Sequence, residues 1–141
     1  MLVRDTTSTY RPGVTNSTGV ELLFFAVLSG FIAHELDAVH RREWRLLFVL
    51  RAMQDDPARR AFVLLHVPLV TALLWFVTHP DPSVFYAAVL SFDAFIIVHA
   101  ALHARLASHR LYEFHAPYSR WLIFGTAALA AAHAILLVAA P

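Results

Sequence analysis

The chain has 141 residues, 59% of them apolar, a mean hydropathy of +0.60 and a formal net charge of +1. Soluble domains run at about 45–50% apolar, so the chain is far more apolar than an ordinary water-soluble domain, and so little charge offers nothing a nucleic-acid backbone would recognise. There is no cysteine and no lysine, which removes disulfides, thiolate metal sites, iron–sulfur clusters, Cys-linked haem and Schiff-base chemistry.

Residues 1–19 read as a polar tail, rich in Thr, Ser and Asn, with no short apolar core and small-residue cleavage site of the signal-peptide kind. Residues 20–141 read as a domain of four apolar blocks, about 20–39, 61–78, 84–106 and 118–140. Each is near the ~20 residues that cross a bilayer core. Backbone groups in lipid must be satisfied within the segment, so each block is expected to be a helix. The predicted fold is all-α: an integral membrane four-helix bundle. A soluble bundle would need polar faces that stretches such as 61–76 lack.

Between the first two blocks lie Arg41, Arg42, Arg45, Arg51, Arg59 and Arg60. Between the last two lies Arg110, with Arg105 and Arg120 at the edges, whereas the His79-Pro80-Asp81-Pro82 link has no arginine. The positive-inside rule then places the arginine-rich loops in the cytoplasm and both termini outside. The first helix is expected to run on as an amphipathic arm through Arg51, ended by Asp55-Asp56-Pro57. Pro57 suits the first turn of the next helix. In the last block, residues 127–134 offer a small-residue face through which two copies could pair as a homodimer.

Helical rise places His34, His66 and His99 about 8–9 Å inside the arginine-rich edge, although they belong to three different spans. His103 lies one turn beyond His99, and an i, i+4 histidine pair can direct two nitrogens at one ion. His34, His66, His99 and His103 are therefore the candidate ligands of a divalent metal, zinc or iron. Ionisable groups at such depth require a partner, a metal or a wet cavity. Asp37 shares the face of His34, and Glu35 points about 100° away, towards another neighbour or Arg42. Asp93 lies deeper. These three carboxylates, Glu35, Asp37 and Asp93, are the candidate catalytic bases. His40 and Glu43 share a face with each other but not with His34. His133, some 20 Å from the same edge, falls outside the site.

The phrase Ala33-His34-Glu35-Leu36-Asp37-Ala38, followed by Arg42-Glu43-Trp44-Arg45, resembles the opening signature of a family of small uncharacterised bacterial membrane proteins. His66-Val67-Pro68-Leu69, the Asp93, His99, His103 spacing and a Ser119-containing last span match its later landmarks. The resemblance covers nearly everything from residue 20 and implies a multi-pass protein of the bacterial inner membrane. A more remote likeness is to the HXXEE-motif membrane family, from which His34-Glu35-Leu36-Asp37 departs by lacking two adjacent glutamates. Neither supplies a reaction. By analogy alone, the Asp and His-x3-His pattern is similar to that of membrane hydrolases such as the alkaline ceramidases, which have seven spans.

The expected function is a membrane metal-binding protein, a metalloenzyme acting on a lipid-like or apolar small-molecule substrate near the cytoplasmic face. Two alternatives stand beside it. One is a haem b bundle with two axial histidines, such as His34 with His66 or His99. The other is a metal carrier or partner subunit whose polar layer is a structural network.

Overall fold

The computed structural model describes residues 18–139; the tail assigned to 1–19 falls almost wholly outside the described residues. Among the described residues there are helices and turns and no strand. Helix α1 spans Thr18–His40, α2 Asp55–Val77 and α3 Pro82–Leu106. The fourth long segment comprises α4 (Pro117–Arg120), a π-helical turn (Trp121–Gly125) and α5 (Thr126–Ala139). All four long segments are apolar and long enough to cross a membrane. Their starts and stops follow local chemistry. Asp81 caps α3 by accepting from the Ser83 backbone N–H at 2.8 Å, with Pro82 in the first turn.

The helical arm expected through Arg51 is absent. Instead α1 stops at His40, and two 3-10 turns, Glu43–Arg45 and Leu50–Ala52, carry the chain to α2. The break falls at Arg42, whose backbone is left-handed (φ 56°, ψ 44°). A second anchor fixes the new direction: the Trp44 indole N–H and the Arg45 guanidinium both donate to Asp55 Oδ1, at 3.0 and 2.8 Å.

Helix α5 packs against α1 and α3, and α2 packs against α3. The small residues of the last span serve this packing. Ala130 is fully buried with Val27, Phe92 and Ile96, and Ala127 lies against the same cluster. At Gly30 a Cβ would collide with Thr126 Oγ1, so α1 and α5 approach as closely as they do because Gly30 has none. A second cluster, including Ala38, Trp44, Phe62, Tyr112, Phe114 and Ile123, closes the arginine-rich end. Outward residues such as Leu64, Val67, Leu69 and Trp75 on α2 are exposed and apolar, as lipid contact requires.

Candidate metal centre

Four side chains meet beneath the arginine-rich end. His34 comes from α1, His99 and His103 from one face of α3, and Glu43 from the turn after α1. The left-handed Arg42 folds that turn back over the helix end, and so brings Glu43 above His34. In an unbroken helix the two would face apart. A non-glycine residue in this conformation costs about 1–2 kcal/mol, a strain that the Trp44 and Arg45 anchors hold in place. Arg42→Gly is therefore expected to stabilise the protein by up to about 1 kcal/mol, and Arg42→Val to destabilise it by at least as much. The change in unfolding midpoint in a denaturing-detergent titration checks both.

One ligand atom from each residue lies within 4.8 Å of the others. His34 Nε2 is 2.9 Å from His99 Nε2, which is 3.1 Å from His103 Nε2. Glu43 Oε2 is 3.4 Å from His34 Nε2, while its Oε1 is 3.6 Å from His99 Nε2 and 3.5 Å from His103 Nε2. A tetrahedral ion with ligands near 2.0–2.1 Å has edges of about 3.3 Å between ligand atoms. The observed separations bracket that value.

Hydrogen bonding alone serves these atoms poorly. A neutral imidazole Nε2 offers one proton or one lone pair, yet His99 Nε2 faces two other Nε2 atoms. Glu43 Oε2 is buried without a hydrogen-bond partner. Burial opposes the charge of Glu43, but the imidazoles of His103 and His34 outweigh it and hold the carboxyl well below the usual carboxylate range. The group is thus three imidazoles and one ionised carboxylate, a donor set suited to zinc or iron. These buried residues could hold a metal ion.

The rings are held by packing. The Nδ1 atoms of His34 and His103 are enclosed without partners, and the Phe114 ring lies against both, at centroid distances of 5.7 and 4.7 Å. Tyr112 stacks edge-on to His103 at 5.8 Å. His34 and His103 are sealed, with 3% of each side chain exposed, whereas His99 keeps 18%, so the cluster opens on the His99 side.

The remaining candidates lie in separate groups. His66 is outside the cluster. Its Nδ1 donates to Phe62 O at 2.7 Å, and its Nε2 is 2.7 Å from Glu35 Oε2. A carbonyl only accepts, so Nδ1 keeps its hydrogen and one proton is shared between Nε2 and Oε2. Asp37 accepts from Tyr118 Oη at 3.0 Å and from Arg41 Nε at 3.3 Å, and Arg41 also donates to Tyr118. This knot ties α1 to α4. Asp93, fully buried, binds His133 Nδ1 at 2.7 Å, well away from the cluster.

Glu43 is the residue that helical phase misses, because phase assumes that α1 continues. The Asp93–His133 pair did carry a signal. Counted from the arginine-rich edge, Asp93 lies about 18 Å and His133 about 22 Å deep, so depth alone could have brought them near each other.

A family model covers residues 20–140. The chain belongs to the family of unknown function DUF6713. Comparison with curated proteins and with solved structures finds no match.

Proposed function

We propose that this DUF6713 member is a multi-pass membrane metalloprotein of the bacterial inner membrane, binding one zinc or iron through His34, His99, His103 and Glu43. The observation that carries the reading is the convergence of three imidazole Nε2 atoms and a buried carboxylate from three separate chain segments. The four spans run alternately, so the ends of α1 and α3 and the starts of α2 and α4 share one membrane face. The arginines there assign that face to the cytoplasm and the termini to the outside.

We further propose an enzyme acting on a lipid-like or apolar substrate. When bound, the metal would supply Lewis acidity to a carbonyl or phosphoryl oxygen. The chain's own residues do the rest. Phe114 and Tyr112 exclude water behind His34 and His103. The part-exposed edge of His99 is the most accessible side of the ligand set, ahead of Glu43. The Glu35–His66 pair holds a proton at Oε2 or Nε2, with Glu35 as the candidate base. Asp37 positions α1 against Tyr118, and Asp93 positions α3 against α5.

The geometry disfavours haem. Nε2 of His34 lies 2.9 Å from that of His99, too close for a macrocycle between them, and both ring nitrogens of His66 are engaged, by Phe62 O and Glu35.

The test is elemental analysis of detergent-purified protein prepared without chelator, beside a His34→Ala, His99→Ala double variant. Near-stoichiometric zinc or iron in the wild type, reduced at least tenfold in the variant, is expected. Equal metal in both, or none in either, overturns the reading.

A further inference from the structure

Next to the metal cluster, behind the Phe114 ring, is a cavity of about 340 Å³ between the end of α3, the loop before α4 and the π-helical turn. It is lined by Ala104, Ala107, Tyr112 and Phe114, and by His115, Arg120 and Phe124, which also line the adjoining groove and so mark its mouth. The size lies within the range of small-molecule sites, about 300–1,000 Å³. From the mouth a more open groove of about 510 Å³ continues past Trp121, Phe124 and Gly125 to Ala128. Arg120 to Ala128 is eight residues, about 12 Å along the span. The space therefore begins at the polar edge of the bundle and runs inward along a lipid-facing surface.

Three observations say what fits it. The first is charge. Arg120 makes no side-chain hydrogen bond or ion pair among the described residues, unlike Arg41, Arg45, Arg59 and Arg60, which all meet carboxylates. Arg120 and His115 both line the cavity and the groove, where the two spaces meet. The second is shape. Apart from the Tyr112 hydroxyl, the cavity and groove below are lined almost wholly by apolar side chains, so a free inorganic anion would satisfy the guanidinium and leave the groove unfilled. The third is backbone. The π-helical turn Trp121–Gly125 sits at the junction of cavity and groove. Such turns are rare and cluster at functional sites. Gly125 contributes too: a Cβ there would press on the Trp121 ring at 3.3 Å.

We infer that this cavity and groove bind one anionic phospholipid, its phosphate on Arg120 and His115 and one acyl chain along Trp121, Phe124 and Ala128. Arginine recognises phosphate bidentately, and the cytoplasmic leaflet is the one enriched in anionic headgroups. The site needs no metal, so it stands or falls separately from the metal centre.

Native mass spectrometry of the detergent-solubilised full chain tests it, with titration by phosphatidylglycerol, phosphatidylcholine or inorganic phosphate. Phosphatidylglycerol is expected to bind about tenfold more tightly than phosphatidylcholine, in one-to-one stoichiometry. Arg120→Ala should abolish that preference while metal content and melting temperature stay unchanged. Ala128→Trp, which blocks the groove from the lipid side without touching the arginine, should weaken phosphatidylglycerol at least fivefold, and it serves alone if Arg120→Ala fails to fold. Equal affinity for the two lipids, displacement of phosphatidylglycerol by millimolar phosphate, or undiminished binding by Ala128→Trp would overturn the inference.

Discussion

Adding zinc or iron(II) to chelator-stripped protein is expected to raise its melting temperature by about 5–10 °C at a free ion concentration a hundred times the Kd. An ion that binds only the folded state stabilises it by about 2.7 kcal/mol at that excess, and a degree or two of Tm per half kilocalorie is ordinary for a chain of this size. His103→Ala should remove most of the rise, because it deletes a ligand whose position comes from α3 and the Phe114 contact. Glu43→Gln should leave a smaller rise than wild type, since the amide keeps the shape but not the charge facing the three imidazoles. His66→Ala should retain the full rise, because His66 bonds Glu35 and Phe62 and not the cluster. The rise should also shrink on acidification, as ligand imidazoles must shed their protons to bind. A wild-type melting temperature indifferent to every divalent ion tried would exclude a metal centre here, and an equal loss in His66→Ala would relocate it.

The second large effect lies in the middle of the bundle. His133→Leu is expected to cost about 3 kcal/mol, well above an average interhelical hydrogen bond in a membrane at about 0.6 kcal/mol. The difference arises because Asp93 is left behind, fully buried, with one oxygen already unpartnered. A lone ionisable group at that depth costs about 2.5 kcal/mol or more, and breaking a buried pair from one side is the expensive way to lose it. Asp93→Leu should cost less, since a neutral imidazole tolerates isolation better than a carboxylate. The double variant Asp93→Leu, His133→Leu should recover most of the loss. Unfolding curves for the four proteins make a thermodynamic cycle. Strict additivity of the two single losses would mean that the 2.7 Å contact contributes no coupling.

The two cases show where sequence reasoning reaches and where it stops. The four long apolar segments were legible because lipid demands continuous apolarity, a property visible residue by residue. The common level of His34 and His99, with His103 one turn beyond, was legible too, because helical rise is nearly constant. Glu43 was not. Its place depends on a single left-handed residue, and arginine carries no marker for that conformation as glycine would. His66 shares the depth of the cluster but is turned towards Glu35, and depth says nothing about azimuth between helices whose packing is unknown. The 100° offset of Glu35 from His34 did forecast that it would face a different neighbour. Depth sets His133 apart from the cluster, and the same arithmetic would have set Asp93 beside it, although Asp93 stands among the candidate bases in the sequence.

The ligands are spread unevenly along the chain. His34 and Glu43 are synthesised early and His99 and His103 some 65 residues later, with α2 inserted in between. Coordination would therefore close a long loop in a protein that has no cysteine with which to do so. In that sense the ion would act as a crosslink fastened during assembly, set only after the third span has entered the bilayer and released whenever the ion is withdrawn. Its presence would report that α1, the turn after it and α3 had come together.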